Sequence, residues 1–427
     1  MKSWKRYKIL LLNLSICLVS SGSVQDTLNI SVNALFERGL DYNLKLYNDK
    51  IAENIARNRT RAAIWAQFPD IELKMETGGA GNSLYPFSYW NQHYEATVTQ
   101  PVYHGGKIGA TVRASRIDET IAILRHRHDE GEIKLMLLKK YFNLVCEYAR
   151  QDIWRHNMIQ SQKMLDDIRN LKREGLVTNN DVLRAELHLT NDSLSLSTVI
   201  NNIIIISQEL DLLLGLDENY IIKTDNNELD TQLPDRRNYD EYLSAAYHNN
   251  PALMISEKII ESSKNRVRIA QAAYLPQIDF IAGNTLARPY SGYGFDRFNN
   301  HWSVGLSVTI PISSLYKNRS LTEMAHNEVI SAEIAARLGT QEILTKLKKA
   351  YLRHSEAINK VTTIKLAIKQ AEENFRIMKN RYMNQLAILT DLLNADALCI
   401  EAKFQYISAK AEAMVTFYEL KQLCGEL

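Results

Sequence analysis

The 427-residue sequence lacks the residues that would hold a small secreted domain together or form a zinc site. It has four cysteines, none of them in a CxxC pair, and Cys17 lies in the apolar N-terminal segment. The other three are an odd number and predict neither a disulfide framework nor a zinc site. No Ser/His/Asp or paired-carboxylate arrangement can be argued from the spacing, so we expect no enzyme and no cofactor.

An excess of charge and a long apolar run are missing as well. Lys and Arg number 51 against 49 Asp and Glu, and the resulting net charge of +2 indicates no nucleic-acid partner. Beyond the N-terminal segment even the run Ile203–Ile206 is far shorter than the ~20 residues of a membrane-spanning helix. The sequence therefore excludes helical spans in the mature chain, but not spanning β-strands, whose only signal is alternation.

The N-terminus reads as a secretory signal peptide. Four cations within residues 2–8 precede an apolar segment at 9–19 and small residues at 21–23. We expect the mature chain to start near residue 24, with a net charge of −2, because the signal carries four cations and no anions. A retained membrane anchor is the weaker alternative because the segment is short for a span, and lipidation of Cys17 is weaker still.

The rest of the chain contains two copies of one plan. A shift of 210 residues aligns Asp181 with Asp391, and a shift of 207 aligns Asn43 with Asn250. Each copy reads helix, strand, loop, strand, long helix, turn, helix. The predicted segments are a signal peptide at 1–23, a first repeat at 24–216, a linker at 217–240 and a second repeat at 241–427.

The strands carry a membrane signal. From Trp302 to Ile312 large apolar residues alternate with small or polar ones over eleven residues, the length of a tilted transmembrane strand. Residues 94–102 repeat the pattern more weakly, and shorter alternations begin at Ile71 and Ile278. From the strands alone, a lipid-facing sheet and a soluble sheet with one buried face are equally open. Four strands cannot close a barrel.

The helices favour the membrane interpretation. Apolar residues from Ile343 to Met378 follow an alternating spacing of four and three, which is the coiled-coil signal. The spacing resumes from Leu392 to Ala413, where many alanines indicate closely packed helices. In the first copy one helix is predicted from Gly106 to about Glu174, about 100 Å long. A compact globular domain has no room for such a helix.

A swivel is predicted between each strand pair and its long helix. Pro101, with Pro311 as its counterpart, lacks the amide that a strand ladder requires and is expected to end the pairing. Gly105 and Gly106 can adopt backbone angles that other residues avoid.

Two segments resemble hallmark segments of the TolC family of outer-membrane efflux and secretion channels. They are TVTQPVYHGGKIGATVRAS at 97–115 and GLVTNNDVLRAELHL at 175–189. The resemblance covers nearly the whole mature chain. It implies a mainly helical homotrimer in which each chain gives four strands to a twelve-stranded outer-membrane β-barrel, while the long helices form an α-barrel across the periplasm. It also implies passive conduction, with outer-membrane lipid, a periplasmic adaptor (membrane fusion protein) and an inner-membrane pump as partners.

The resemblance assigns the two tip turns, 174–181 and 384–391, to contact with the adaptor. Family members usually have glycine where this chain has Gly175, whereas the second copy has Gln385. We therefore expect the second turn to be stiffer and its adaptor contact to differ. The predicted contact residues are Gly175, Leu176, Val177, Thr178, Gln385 and Leu386.

A pore constriction is implied near the second turn. Family channels are often narrowed by acidic residues at the position of Asp391 and three residues later, where this chain has Asn394. Threefold symmetry would then give one carboxylate ring, which would attract cations, and Asp181 is the counterpart in the first copy. The simpler interpretation is an acidic residue in the first turn of a helix. It is favoured for Asp181 and equally open for Asp391.

Two other interpretations concern the function of the whole chain and a group of histidines. A periplasmic coiled-coil structural or adaptor protein, with its strands in a small soluble sheet, is the alternative function. His126 and His128 lie near Asp129, but residues two apart point to different faces of a helix, so we predict no metal site.

Overall fold

The computed structural model describes most of the predicted mature chain. The described residues are 27–79, 90–216, 220–224, 237–288 and 297–427. The predicted signal peptide with Cys17, most of the predicted linker and the loop within each strand pair lie outside them.

Within this part the predicted plan occurs twice. The first repeat comprises β1 (Thr27–Ile30), α1 (Val32–Tyr42), α2 (Leu44–Trp65), β2 (Asp70–Gly79), β3 (Trp90–His104), α3 (Lys107–Arg173), α4 (Asn179–Leu214) and β4 (Ile221–Thr224). The second comprises α5 (Tyr239–Asn249), α6 (Pro251–Ala272), β5 (Gln277–Arg288), β6 (Asn299–Thr309), α7 (Ser314–Lys317), α8 (Arg319–Met383) and α9 (Leu389–Leu423).

Each repeat opens with two helices where the sequence predicted one. The break falls at the aligned pair Asn43 and Asn250, which both leave the helical backbone and cap the following helix. Each Asn side chain accepts hydrogen bonds from amides two and three residues ahead. Strand β4, which pairs in parallel with β1, lies inside the predicted linker.

The four longer strands form one antiparallel sheet in the order β2-β3-β5-β6. Its register places Leu73 opposite Ala96, and Asn284 opposite both Ala96 and Trp302. Directly opposed residues share a face, so the alternation of all four strands adds up to one face that is mostly apolar and one that is mostly polar. The strand predicted from Trp302 to Ile312 begins at Asn299 and ends at Thr309.

The prediction that Pro101 ends the pairing of its strand is wrong for one neighbour. Pairing with β2 stops at Thr99, but pairing with β5 continues to His104 through an irregular register between Pro101 and Tyr103. A bulge absorbs the missing amide, so the strand bends without ending. Pro311 does lie beyond the end of its strand, in the turn before α7.

Gly105 and Gly106 lie between β3 and α3 with the backbone angles expected of them, and their role as a swivel stays a prediction. Gly105 and Gly106 have φ angles of +62° and +78°, in the left-handed region. A Cβ at Gly105 would lie 2.7 Å from the Ala272 carbonyl oxygen, which belongs to the end of α6. The turn from β3 into α3 is therefore pinned against the second repeat, and glycine is required there for space as well as for backbone angle.

The predicted seam joins α8 to α9. Its residues from Leu347 to Ile364 are buried, and Ala409 and Ala413 of α9 are completely enclosed. In the first repeat α3 runs for 67 residues, about 100 Å, within one residue of its predicted bounds. Alanine-rich positions let the antiparallel helices approach closely, which explains why hairpins of this length stay together.

One described helix, α4, could cross a membrane by length and composition, although the sequence analysis excluded any such helix. The apolar residues of α4 are interrupted by Asn, Ser and Thr, so no long run was visible, but their mean hydropathy is high enough. Its buried residues pack against α3 and include Asp192 and Asp211. The buried side of α4 thus packs against protein.

Asp211 is completely buried and its carboxylate has no hydrogen-bond partner among the described residues. The Ser207 hydroxyl, one turn earlier on α4, is also buried without a hydrogen-bond partner among the described residues. Burial raises the pKa of the Asp211 carboxyl to about 6. The ionised form is therefore destabilising above that pH, and the cost disappears as the pH falls towards the ordinary value for aspartate.

We expect Asp211→Asn to stabilise the protein at pH 8 by about 1–3 kcal/mol, because an amide cannot ionise and a buried charge without a partner costs more than a buried neutral group. The gain should shrink between pH 7 and pH 5. Thermal melting of the detergent-solubilised protein at several pH values measures it, with the exposed Asp240→Asn as the control. A lower melting temperature for Asp211→Asn at pH 8 would contradict this account.

Candidate functional site: the two tip turns

The two long helices end in the same way. Gly175 has a φ of +75°, the Gly175 amide donates to the Lys172 carbonyl, and the Leu176 amide donates to the Leu171 carbonyl. This is the Schellman pattern of a helix end with a left-handed residue. The first turn begins at Glu174 as predicted but ends at Thr178, three residues before the predicted end, since α3 ends at Arg173 and α4 begins at Asn179.

Gln385 takes the left-handed conformation in the second turn, with a φ of +63°. The Gln385 and Leu386 amides donate to the Tyr382 and Arg381 carbonyls, each 210 residues after the first-turn pair. Gln385 is the single non-glycine residue with positive φ in the described part of the chain. The backbone shape of the two turns is thus the same, and the second accepts the strain of a side chain at this angle.

The turns differ at the start of the returning helix. Thr178 and Asp181 form a capping box: the Asp181 carboxylate accepts from the Thr178 amide at 2.9 Å, and the Thr178 hydroxyl accepts from the Asp181 amide at 3.3 Å. In the second turn Ile388 occupies the cap position and offers no side-chain acceptor. Asp391 consequently has no capping role, and its carboxylate is exposed.

This contrast separates the two aspartates that the sequence analysis treated as counterparts. Asp181 performs the structural role that was favoured for it. Asp391 lies in the first turn of α9, where the helix dipole favours it, but among the described residues its carboxylate accepts no hydrogen bond. Asn394, one turn on, is exposed as well. Ile388 was the residue that sequence reasoning missed, and an apolar residue at a cap position was the available signal.

A small apolar cluster holds the two turns together. Leu165 and Ile168 of α3 meet Val182 and Ala185 of α4, and Leu389 and Leu392 of α9 complete the cluster together with Tyr382. Burial, followed by the Asp181 charge, raises the pKa of the Tyr382 hydroxyl. The Arg184 guanidinium donates to the Thr390 hydroxyl at 2.8 Å, which joins the first hairpin to the second.

The predicted contact residues lie on the outer end of this cluster. Leu386 and Ile388 are 68% and 65% exposed, Leu176 is 46% exposed, and Val177 packs partly inward. The tip therefore presents apolar side chains to its surroundings from both turns, with the second turn more prominent. The strand–helix swivels, in contrast, lie at the far end of the long helices and form no common site with the tip.

One cluster of metal-ligand side chains occurs in the described part of the chain, away from both ends. His128, Asp129 and Glu132 approach one another on α3. The Lys45 ammonium already lies 3.0 Å from Asp129 and 3.3 Å from Glu132, and the two carboxylates raise the pKa of Lys45. A lysine therefore balances the negative charge here, and the expectation of no metal site stays a prediction.

The architecture defines a class of protein: duplicated helical hairpins that carry an antiparallel sheet with an exposed apolar face. The profile of the outer membrane efflux protein family matches residues 242–426. The chain is 20% identical to the outer membrane protein TolC of Escherichia coli over 317 residues, which cover 71% of this chain and 63% of TolC.

Two further proteins are similar. The proteases secretion protein PrtF of Dickeya chrysanthemi is 20% identical over 203 residues, which cover 47% of this chain and 44% of PrtF. The chain thus spans about half to two-thirds of the curated relatives it matches. The crystal structure of the outer membrane protein VceC from Vibrio cholerae has the same fold, with a TM-score of 0.78 and 18% identity over 92% of this chain and 96% of VceC.

These comparisons confirm the resemblance to the TolC family, and residues 242–426 match the outer membrane efflux protein family. The predicted fold class, mainly helical with a small β part, is confirmed as well. Proteins of this family are channels and not enzymes, which agrees with the expectation that this chain catalyses no reaction.

The two turns give a matched pair of substitutions. Gly175→Ala should accelerate amide hydrogen exchange in residues 174–178, because a left-handed alanine costs about 1 kcal/mol or more. Gln385→Gly should leave exchange in residues 384–388 unchanged or slower, because it removes that same strain. Mass-spectrometric hydrogen exchange measures both. Equal acceleration by the two variants would show that the strain at Gln385 is not real.

Proposed function

We propose that the chain forms a homotrimeric outer-membrane channel that passively conducts substrates delivered by an inner-membrane pump and a periplasmic adaptor. The observation that carries this proposal is the sheet. One of its faces is mostly apolar and exposed over the four strands, in a protein whose hairpins are otherwise well packed.

The exposed face needs a covering that the chain itself does not provide. Ile71 is 74% exposed, Trp302 is 73% exposed and Leu306 is 68% exposed, and no described element packs over them. The opposite face carries Glu72, Lys74 and other polar residues. Lipid would cover the apolar face and water would solvate the polar face, as in a transmembrane sheet. A soluble sheet of the alternative adaptor would instead bury its apolar face.

The internal repeat explains why more than one copy is required. Strands β2-β3 and β5-β6 are equivalent pairs, and β3 pairs with β5 to join the two repeats. The equivalent of that junction, β6 with β2, is missing because both are edge strands. A neighbouring copy can supply it, and three copies would close a ring of twelve strands without edges.

The helices point to the same junction. The Ser262 hydroxyl of α6 donates to the Asp118 carboxylate of α3 at 3.1 Å, across the two repeats. The shift of 207 residues makes Ile55 of α2 the counterpart of Ser262, and the shift of 210 makes Glu328 of α8 the counterpart of Asp118. Ser262 is buried, whereas Ile55 is 48% exposed. The repeats are therefore equivalent in sequence and unequal in burial, as expected if α2 packs against α8 of the next copy.

Exposed apolar residues follow both of these helices. On α2 they are Leu44, Tyr47, Ile51, Ile55 and Trp65, and on the first half of α8 they are Leu321, Met324, Ile330, Ile334 and Leu338. The spacing on α2 is close to helical periodicity, so the first set lies along one side of its helix. Packing of the two sets against each other would remove both from water.

The proposed assembly predicts a specific cross-link. In Ile55→Cys combined with Glu328→Cys, oxidation or a short bis-maleimide should link chains into dimers and trimers on a denaturing gel, and no larger species should form. Each single variant serves as the control. A ladder that continues beyond three chains, or monomers alone from a protein that sediments as a trimer, would contradict the junction.

The remaining parts of the proposal, the adaptor contact and the carboxylate ring, concern the tip. The exposed Leu386 and Ile388 are suited to an apolar adaptor contact, and Asp391 is the carboxylate left available to face a central passage. Three such carboxylates around an axis would attract cations and impede their passage.

We expect Asp391→Ala to raise single-channel conductance in a planar bilayer or to weaken block by divalent cations severalfold. Asp181→Ala should leave conductance unchanged, because its carboxylate is committed to the capping box, and should loosen the first turn instead. Discrete steps from the wild-type trimer are the prerequisite. A soluble protein that never inserts would overturn the function itself, and equal effects of the two variants would overturn the assignment of the ring.

A further inference from the structure

A buried polar cluster crosses the helical wall just above the tip. It contains Asn157 and Ser161 of α3, His188 and Asp192 of α4, and Asp396 of α9. Both carboxylates are at least 96% buried, and Asn157 and Ser161 are at least 95% buried. Two buried carboxylates this close to one histidine are costly unless they are well paired, so the cluster requires a function or a compensation.

His188 supplies the compensation. Its Nε2 lies 3.1 Å from the Asp396 Oδ2 and 3.8 Å from the Asp192 Oδ2. Asp192 also accepts from the Ser161 hydroxyl at 2.6 Å and from the Asn157 amide at 3.0 Å. Among the described residues no comparable pair of neutral donors serves Asp396, so His188 is its principal partner. The hydrogen bond with Asp396 raises the pKa of His188 despite burial.

The other charged groups near the cluster are paired elsewhere, so His188 is the group that balances the charge of Asp396. On α4 the nearest cation, Arg184, is bound to Thr390. Beside Asp396 lies a cavity of about 420 Å³, where Lys403 of α9 is paired with Glu372 of α8 at 3.0 Å. The other titratable groups lining that cavity are Asp152, His156 and Cys399, and burial raises the pKa of the Cys399 thiol, which keeps it neutral.

The position of the cluster connects it to the tip. His188 follows Asp181 by seven residues, about 10 Å along α4, and Asp396 follows Asp391 by five residues. The contact joins the α3–α4 hairpin to the α8–α9 hairpin immediately above the apolar cluster of the turns. Loss of the contact would weaken the link between the ends of the two hairpins, which the apolar cluster and the Arg184–Thr390 hydrogen bond also join.

We propose that His188, held between Asp192 and Asp396, is a proton-dependent clasp that ties the two hairpins of each chain together and restrains opening of the tip. This rests on the proposed function as a channel. The ion pair is complete below the ordinary titration range of histidine and is lost as the pH rises through the raised pKa of His188. On the acid side Asp192 limits the clasp, because burial raises the pKa of its carboxyl.

The test is the conductance of the full-length trimer in a planar bilayer between pH 6 and pH 9. The wild type should show at least a threefold increase in open probability over this range. His188→Gln, which donates a hydrogen bond but cannot be charged, should be open throughout and independent of pH. His248→Gln removes an exposed histidine whose described hydrogen bond stays within its own helix, and it should behave as the wild type does.

A second measurement does not depend on conduction. Hydrogen exchange in residues 183–192 and 391–400, compared between wild type and variant at each pH, should be faster in His188→Gln at pH 6 and equal at pH 9. Asp396→Asn should repeat this pattern if His188→Gln does not fold. The same pH dependence in wild type and both variants would overturn the clasp. Absence of channels with the expected exchange difference would overturn the channel function and leave the clasp.

Discussion

The structure depends on the packing of each long helix against its antiparallel return helix along a seam of small apolar side chains. A helix of 65 residues exposed on all sides would not be held straight or in place by its own hydrogen bonds. Ala357, Ala409 and Ala413 bring α8 and α9 close enough for continuous contact. Because the seam leaves no room to slide, it also sets where each turn falls and therefore what the tip presents.

The duplicated plan has a second consequence, which concerns assembly. The strand pair and the pair of long helices occur in both repeats, but the junction of β3 with β5 and of α3 with α6 occurs once in the chain. The free edges are complementary halves of that same contact. Such a protein exposes edge strands and helix sides that another copy of the same chain can cover. The proposed ring therefore follows from the repeat more than from any single residue.

Much of the fold could be predicted because its signals are local. The seam from Ile343 to Met378, the bounds of α3 and the left-handed glycines follow from periodicity and backbone preference, which involve residues a few positions apart. The prediction for Pro101 was wrong because a strand has two neighbours, and only the register shows that one of them continues past the proline through a bulge. The candidate tip was predicted in position but not in detail.

The sequence by itself determined the repeat, the lengths of the helices, the alternation of the strands and the turns at Gly175 and Gln385, because each is encoded within a few adjacent residues. The tertiary structure decided that the apolar sides of four strands form one exposed face and that Asp211 is buried without a partner. It also brought His188 to Asp396, which is 208 residues away in the chain. Such contacts depend on how whole helices pack, and no local pattern contains that information.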